Sequence, residues 1–361
     1  MDIIIYGAGN LGNRLYRRVK KYKNINVVGF ADTYKKGFVE DIPIVDVLVE
    51  KEKYRNYPIV IAGGFVARKE IWEKLNIEGF THIYCWLMKE YNYKNDFLEG
   101  ECVSFIPMTE NSLFYAEMSV IDYCNLNCKG CTHYSAIFEK SLPDMDARLY
   151  DIEYLTKIYD HIAEFGLIGG EPLLHPEIER FVTKVRRIIP TTQIQMVTNG
   201  LLLLKIEDKV LECLHDNNIT VAISEYIPTL KIIGKIRKRL EKYKIDYVLK
   251  SSDSKSKFYK TLSLKKNSIY PHKCISRGCV NLVDGKIARC PTLLYVEALN
   301  KRFSTFFPTD GIYKIKDYVE GKQLNLDLEK RVSLCDYCVD YQFDWEPCGK
   351  EIRLEDFIVM E

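Results

Sequence analysis

Short apolar runs alternate with longer amphipathic stretches along most of the chain. A short apolar run is typical of a buried strand, and an apolar stripe with helical spacing is typical of a helix that packs on one side. Strands that alternate with helices indicate a parallel sheet covered by helices. The predicted fold class is therefore α/β.

The predicted strands cover residues 3–6, 27–30, 59–62, 82–86, 119–122, 165–169, 194–197, 219–223 and 246–249. Helices are predicted between them, up to residue 20 and over 46–52, 68–75, 147–161, 177–189, 206–215 and 229–243. Near the C-terminus, residues 280–288 predict a hairpin with its turn at Asp284 and Gly285.

Three glycines separate the first strand from the first helix. Gly7, Gly9 and Gly12 form a Gly-x-Gly-x-x-Gly pattern, and Asp32 follows the second strand. This arrangement resembles a Rossmann-type fold, in which such glycines bring backbone N–H groups to a phosphate and the acid reaches a ribose hydroxyl. The segment is short, so a single nucleotide or a nucleotide-sugar is expected to bind; the alternative is a purely structural or docking role.

Three closely spaced cysteines follow the strand predicted at 119–122. Cys124, Cys128 and Cys131 have the spacing Cys-x3-Cys-x2-Cys. Three thiolates on one loop can hold three irons of a cubane cluster, which leaves the fourth iron open to a small molecule. In a structural zinc site, four protein ligands normally fill the coordination sphere, and they often come as pairs of cysteines. The spacing therefore favours catalysis over scaffolding.

The loop resembles that of the radical SAM superfamily, whose three cysteines ligate a [4Fe–4S] cluster that cleaves S-adenosylmethionine (SAM). The resemblance extends to positions at the ends of later strands, which it implies as SAM contacts: Gly169, Gly170, Glu171, Pro172, Asn199 and Ser224. Glycines let backbone carbonyls approach the methionine ammonium, and Glu171 would add negative charge. Gly130 stands where many members carry an aromatic residue, so Tyr123, His133 or Tyr134 is expected to stack on adenine.

Six of the twelve cysteines lie beyond residue 270. Their pattern resembles the SPASM and twitch extensions of radical SAM enzymes, which implies one auxiliary [4Fe–4S] cluster. The predicted hairpin brings Cys290 back beside Cys279. Cys290, Cys335 and Cys338 are the favoured ligands, followed by Cys279 or Cys274, with Cys348 last. A zinc knuckle built from the same thiolates is the alternative, because spacing does not name the metal.

These features divide the chain into four segments. Residues 1–88 are predicted to form the Rossmann-type domain and 89–112 a linker. Residues 113–270 are predicted to form the radical SAM core, which the resemblance implies is a partial six-stranded (β/α) barrel with its site at the carboxyl ends of the strands. Residues 271–361 are predicted to form a small cysteine-rich extension.

Composition narrows the classes of partner. With 52 Lys and Arg against 50 Asp and Glu, the chain has no strong field to attract nucleic acid or an anionic membrane. No apolar run is long enough to span a bilayer, and Met1 and Asp2 lead directly into a strand without a leader. A cytoplasmic protein with reduced thiols is expected.

The resulting hypothesis is a radical SAM oxidoreductase that abstracts a substrate hydrogen, in a dehydrogenation or epimerisation. The chain also resembles radical SAM proteins of surface-polysaccharide gene neighbourhoods, which implies a sugar or nucleotide-sugar substrate. An electron donor such as flavodoxin or ferredoxin is implied as a partner. Two alternatives are a peptide-modifying radical SAM enzyme and a non-catalytic iron–sulfur or zinc scaffold. The sequence does not identify a residue that acts on the substrate itself.

Overall fold

The computed structural model describes residues 1–86, 105–250, 257–266, 274 and 277–360. The chain divides into two compact units. The first comprises Met1–Phe114 with two short stretches, Tyr159–Glu164 and Thr191–Gln193, and the second comprises Tyr115–Ile158, Phe165–Pro190 and Ile194–Glu361.

Over residues 1–86 and 105–114, which the structure describes, the chain forms short strands and three helices. The strands are β1 Asp2–Tyr6, β2 Asn26–Ala31, β3 Gly37–Val39, β4 Ile42–Ile44, β5 Ile59–Ile61, β6 Ile83–Trp86, β7 Phe105–Pro107 and β8 Ser112–Leu113. The helices are α1 Asn10–Val19, α2 Lys51–Tyr54 and α3 Phe65–Ile77.

The first unit contains the parallel sheet that the apolar runs predict. Its strand order is β3-β4-β2-β1-β5-β6-β7, and the pairings from β4 through β6 are parallel. Ile3 and Ile5 of β1 pack in one apolar cluster, whereas Ile4 and Tyr6 pack in another. Alternate residues point to opposite faces of a strand, so both faces of this sheet are covered, which is why β1 is apolar from Ile3 onward.

The segment predicted as a linker is not wholly a connection. Its residues Phe105–Pro107 form β7, which pairs antiparallel with β6 and completes the edge of the first sheet. The side chain of Phe105 is buried in that unit. This apolar edge strand accounts for the difference from the prediction, and residues 87–104, which hold most of the remaining linker, lie outside the described residues.

The second half of the chain alternates strands and helices before it reaches the C-terminal hairpin. Its strands are β9 Ala116–Ile121, β10 His161–Ile162, β11 Glu164–Gly169, β12 Gln193–Thr198, β13 Thr220–Ser224, β14 Tyr247–Lys250, β15 Lys257–Ser263, β16 Asn281–Val283, β17 Lys286–Ala288, β18 Tyr313–Lys314, β19 Cys338–Asp344 and β20 Ile358–Val359. Its helices are α4 Met145–Ile158, α5 Ile178–Ile188, α6 Asp208–Asp216, α7 Ile227–Leu230, α8 Ile233–Lys242, α9 Pro291–Phe303 and α10 Gly321–Glu329.

One sheet of the second unit has the order β14-β13-β12-β11-β9-β16-β17-β18. The pairs β14–β13, β13–β12, β11–β9 and β9–β16 are parallel, and β16–β17 is the predicted hairpin. Strand β11 lies next to both β9 and β12. The candidate SAM contacts and the three-cysteine loop therefore lie at the ends of adjacent strands of one sheet, in the order β13, β12, β11 and β9.

Three predicted helices differ in extent. The helix predicted over 229–243 is two helices, α7 and α8, because Ile232 between them leaves the helical conformation at φ −122° and ψ 3°. The helix predicted over 147–161 ends at Ile158, since residues 161–162 pair with β8 instead. The helix predicted over 46–52 is the short α2.

A further small sheet consists of β19, β15 and β20. Strand β15 pairs antiparallel with β19 across a long stretch of sequence, and β20 pairs parallel with β15. The pattern analysis predicted none of these strands. Leu262 of β15 belongs to an apolar cluster in which Tyr134, Cys335 and Phe357 pack with residues of α9.

Candidate active site

The three-cysteine loop follows β9 directly. Cys128 is buried, whereas Cys124 and Cys131 are half-buried. Asn127 and Gly130 adopt positive φ angles of 48° and 68°, which turn the chain between the cysteines. A Cβ on Gly130 would lie 2.5 Å from the carbonyl oxygen of Tyr259, so only glycine fits there. This explains why no aromatic residue precedes the third cysteine.

The thiols of this loop lie close enough to influence one another. Burial, together with the charges of Cys131 and Cys124, raises the pKa of Cys128 well above its ordinary value. Burial also raises the pKa of Cys124 to about 11. A metal that binds these thiols must displace their protons, which soft thiolate-binding metals do. Within the described ranges, no three His, Cys, Asp or Glu side chains come close enough to hold one metal ion.

Two glycines at the end of β11 let it pack against the root of the three-cysteine loop. A Cβ on Gly169 would lie 2.2 Å from the carbonyl oxygen of Ile121, and one on Gly170 would lie 1.9 Å from that of Tyr123. The backbone N–H of Gly170 donates to Ile121 at 2.7 Å, and that of Glu171 donates to Tyr123 at 3.1 Å. The turn from Gly169 to Pro172 thus fixes the chain that leads into Cys124.

Glu171 is fully buried, and its carboxylate binds the chain itself. One oxygen accepts hydrogen bonds from the hydroxyl of Thr198 at 2.6 Å and the N–H of Leu173 at 3.2 Å, and the other accepts from the N–H of Asn199 at 2.9 Å. Burial raises the pKa of Glu171 to about 7. The carboxylate therefore ties the end of β11 to the end of β12, which is a bracing role that the sequence did not indicate.

Asn199 connects this brace to the three-cysteine loop. Its side-chain amide donates to Asn125 Oδ1 at 2.7 Å and lies 3.7 Å from the sulfur of Cys124. Ser224 is the last residue of β13, the strand beside β12, and is half-buried. The structure thus places Asn199 against the cysteine loop and Ser224 at the end of the neighbouring strand.

Aromatic side chains that the sequence analysis did not select line the three-cysteine loop. The ring of Tyr226 packs against those of Phe258 and Trp345, with centroids 5.9 and 6.0 Å away. Burial and the charges of Cys128 and Cys131 raise the pKa of Tyr226 well above its ordinary value. The indole N–H of Trp345 donates to the sulfur of Cys128 at 3.1 Å. Alternation of aromatic and polar residues over 341–345 was the available signal.

Of the residues expected to stack on adenine, Tyr134 is excluded by its burial. It is only 2% exposed and packs edge-on against Phe357 in an apolar cluster. A ring that stacks on a ligand must be accessible in the ligand-free chain. His133 is also buried, beside Tyr295, so the same argument applies to it. Tyr123 is half-buried and is the accessible one of the three.

Five of the C-terminal cysteines form a second group, here called the tail cysteines. Cys279 interacts electrostatically with Cys290 and Cys274, and burial raises its pKa above the ordinary value. Burial, with Cys274 and Cys335 nearby, raises the pKa of Cys290 to about 12. Burial, with Cys290, Cys335 and Cys274 nearby, likewise raises the pKa of Cys338 to about 12.

Cys348 has contacts with the three-cysteine loop. Burial raises its pKa to about 12, with contributions from Asp356 and Cys131. Its backbone N–H donates to the carbonyl of Asn127 at 2.7 Å. The side chain of Cys348 also packs against the apolar cluster that includes Cys335. Its last place among the predicted ligands stays a prediction.

The glycine loop of the first unit combines close packing with one open position. A Cβ on Gly12 would lie 1.7 Å from the carbonyl oxygen of Gly7, whereas a Cβ on Gly9, at the start of α1, would meet no atom within 4 Å. Asp32 accepts hydrogen bonds from the N–H groups of Ala8, at 2.8 Å, and of Tyr34 and Lys35. Burial acts to raise the pKa of Asp32, but these bonds outweigh it and hold the pKa below its ordinary value. Asp32 thus already braces the loop.

None of the helices within the described part of the chain is long and apolar enough to cross a membrane.

Comparison with protein families matches the middle of the chain. The family model of the Radical SAM superfamily matches residues 118–253. A GTP 3′,8-cyclase of Microcystis aeruginosa is 30% identical over 34% of this chain and 39% of its own length. One of Syntrophomonas wolfei is 26% identical over 56% of this chain and 58% of its own length. The matches therefore span less than two thirds of these relatives.

Among solved structures, BtrN in complex with AdoMet and 2-DOIA is 15% identical, with a TM-score of 0.38 over 62% of this chain and 92% of BtrN. The matched residues 118–253 contain the three-cysteine loop, the turn at Gly169 to Pro172, Asn199 and Ser224. Residues 118–253 therefore match the Radical SAM superfamily, which uses a [4Fe–4S] cluster and SAM.

Proposed function

We propose that this radical SAM enzyme binds its [4Fe–4S] cluster through Cys124, Cys128 and Cys131. The observation that carries the proposal is that these three thiols lie on one loop directly after β9, where the side-chain amide of Asn199, from the end of β12, lies 3.7 Å from the sulfur of Cys124. Soft thiolates are the usual ligands of iron–sulfur clusters. When bound together, the cluster and SAM supply reductive cleavage of SAM to methionine and a 5′-deoxyadenosyl radical that takes a hydrogen atom from the substrate.

The chain's own residues hold and orient SAM. Backbone carbonyls of the turn at Gly169 and Gly170 receive the methionine ammonium, since no side chain obstructs their approach. Asn199 and Ser224 contact SAM from the ends of β12 and β13. Glu171 positions Asn199 without contacting SAM. Its buried carboxylate accepts a hydrogen bond from the backbone N–H of Asn199 at 2.9 Å, and the side-chain amide of Asn199 then donates to Asn125.

The tail cysteines bind one auxiliary cluster, as in a SPASM or twitch-like extension. Its ligands are Cys290, Cys335 and Cys338 with Cys279 or Cys274. Two observations support a sulfur-rich group there. Cys335 is buried in an apolar cluster against which Cys290 and Cys338 pack. Burial and neighbouring thiols of the group raise the pKa of Cys290 and of Cys338 to about 12.

Metal analysis of the purified chain separates the alternatives for the tail cysteines. An auxiliary cluster predicts that changing Cys335 and Cys338 to Ala removes about four irons per chain. A zinc knuckle predicts the loss of one zinc with the iron unchanged. Cys213→Ala, a half-buried thiol elsewhere in the second unit, is the matched control and should change neither metal.

The substrate class proposed is a sugar that carries a nucleotide, and the reaction class is dehydrogenation or epimerisation. Two points support a nucleotide: the relatives are named for GTP, and Gly9 leaves the start of α1 open to a phosphate. The sugar part rests on the resemblance to proteins of polysaccharide gene neighbourhoods. In this proposal the first unit holds the nucleotide with Gly7, Gly9 and Gly12.

Transfer of deuterium tests the substrate class. The reduced enzyme is incubated with SAM and with UDP-glucose or GDP-mannose deuterated on the sugar, or with GTP deuterated on the ribose. Transfer of deuterium from a nucleotide-sugar to 5′-deoxyadenosine supports the proposal. A sugar product that has two hydrogens fewer than the substrate indicates dehydrogenation. Deuterium from GTP alone, or from a deuterated peptide alone, would contradict the sugar substrate.

A further inference from the structure

A C-terminal segment lies along the three-cysteine loop. We call residues 345–348 the strap. Cys128 pairs with Pro347 in an antiparallel bridge, and the N–H of Lys129 donates to the carbonyl of Glu346 at 3.1 Å. The ammonium of Lys129 also lies 2.7 Å from the carboxylate of Glu346. These contacts join parts of the chain that are more than 200 residues apart, so the strap is a built part of the loop's surroundings.

The strap carries one donor aimed at a cysteine sulfur. The indole N–H of Trp345 donates a hydrogen bond to Sγ of Cys128 at 3.1 Å. Tryptophan has a single hydrogen-bond donor and no acceptor, so this bond uses all of its polar capacity. The ring is held in place by Tyr226, at a centroid distance of 6.0 Å.

We propose that Trp345 is a positioning residue that sets the reduction potential of the cluster bound at Cys128. This inference rests on the proposed ligation by the three-cysteine loop. A hydrogen bond to a ligating sulfur withdraws electron density from it and favours the reduced, more negatively charged cluster. The bond therefore raises the potential and makes the electron needed for SAM cleavage easier to accept.

A purely structural role for Trp345 makes a different prediction. The strap is also held by the backbone bonds from Cys348 to Asn127 and from Lys129 to Glu346, none of which involves the indole. Replacing the indole with a phenyl ring keeps aromatic packing against Tyr226 and removes only the donor. The two roles are thus separable in one variant.

The test measures the midpoint potential of the SAM-binding cluster by redox titration with electron paramagnetic resonance, in the background Cys335→Ala and Cys338→Ala to remove the tail signal. Trp345→Phe should retain the iron of the wild-type loop and shift the potential to more negative values. SAM cleavage with a weak reductant should fall severalfold and recover with a stronger one. Trp345→His, which restores an N–H donor, should return the potential toward the parent value.

Glu346→Gln is the matched control, because it weakens the ion pair to Lys129 within the same strap without touching the sulfur. Glu346 is more than half exposed, so loss of its negative charge should shift the potential only slightly, and toward more positive values, which is opposite to the shift expected for Trp345→Phe. An unchanged potential in Trp345→Phe, or loss of iron from that variant, would overturn the inference. Failure of the proposed function looks different: the parent protein itself would bind no iron at the three-cysteine loop.

Discussion

The carboxylate of Glu171 accepts a hydrogen bond from the backbone N–H of Asn199 at 2.9 Å, and this bond joins the ends of β11 and β12. The same carboxylate accepts from Thr198 and Leu173. In Glu171→Gln, one carboxylate oxygen is replaced by an NH2 group, which cannot accept a hydrogen bond from these donors. Because an unmet buried donor costs roughly 1–3 kcal/mol, we expect the free energy of unfolding to fall by about 2 kcal/mol. SAM affinity should fall with it, which calorimetry measures.

Glu177→Gln is the control for this change, since its side chain is about half exposed and lies on the same connection to α5. It should alter neither stability nor SAM affinity. Equal SAM affinity in Glu171→Gln and the parent protein would show that the brace does not position the SAM contacts.

Cys338 and Cys348 should differ in their effect on the tail metal. Cys338 interacts with Cys290 and Cys335, whereas Cys348 interacts with Cys131 and Asp356. Cys338→Ala should therefore lose the tail metal and stop substrate turnover while SAM cleavage persists. Cys348→Ala should keep the tail metal. Metal content and 5′-deoxyadenosine production without substrate are measured together, and tail-metal loss in Cys348→Ala would refute this division.

Gly9 should matter for nucleotide binding without being needed for folding. Its φ of −92° and the open space around it accept a larger residue, so Gly9→Val should fold but block a phosphate at the start of α1. Titration calorimetry with UDP-glucose and GTP should show binding to the parent protein and none to this variant. Gly64→Val is matched to it, since Gly64 precedes α3 with equally open space. If neither nucleotide binds the parent protein, the glycine loop is structural.

His175 should make the stability of the second unit depend on pH. It is buried, and its Nδ1 accepts a hydrogen bond from the N–H of Glu177 at 3.1 Å, which requires the neutral ring. Burial lowers the pKa of His175 below its ordinary value of 6.5. As the pH falls, His175 therefore becomes protonated in the unfolded chain before it does in the folded chain. The neutral, folded His175 contributes its full share to the free energy of unfolding above pH 6.5, and this share is lost as the pH falls through the lower pKa of the folded state.

Denaturant unfolding of His175→Asn, which keeps an acceptor but does not titrate, measures this contribution. The difference in the free energy of unfolding between the parent protein and the variant should shrink as the pH falls from 8 to 5. A difference that is constant over this range would contradict the role of His175.

Much of the fold was predictable because it is encoded locally. The apolar runs of β1, β5, β11, β12 and β13 are buried on both faces, so short continuous hydrophobic stretches predicted them. The glycine positions were predictable for a similar reason. Gly7, Gly12, Gly169 and Gly170 each allow a backbone approach that a Cβ would prevent.

The surroundings of the three-cysteine loop were not predictable, because they depend on contacts between distant parts of the chain. The donor on Cys128 comes from Trp345, and the ring that fills the space beside Gly130 comes from Phe343. Both follow from the pairing of β15 with β19, and no local pattern specifies that pairing. The same holds for Glu171. Its position after a strand predicted an acidic SAM contact, whereas its hydrogen bonds to Thr198 and Asn199 depend on the neighbouring strand β12.

The central claim is that Cys124, Cys128 and Cys131 hold the cluster that cleaves SAM. The most direct measurement is the yield of 5′-deoxyadenosine from the anaerobic, reduced full chain with SAM, compared with the variant in which all three cysteines are Ala. The account predicts product from the parent protein and none from the variant, which should also lose about four irons per chain. Cys213→Ala should behave like the parent. Continued 5′-deoxyadenosine formation by the triple variant would contradict the account.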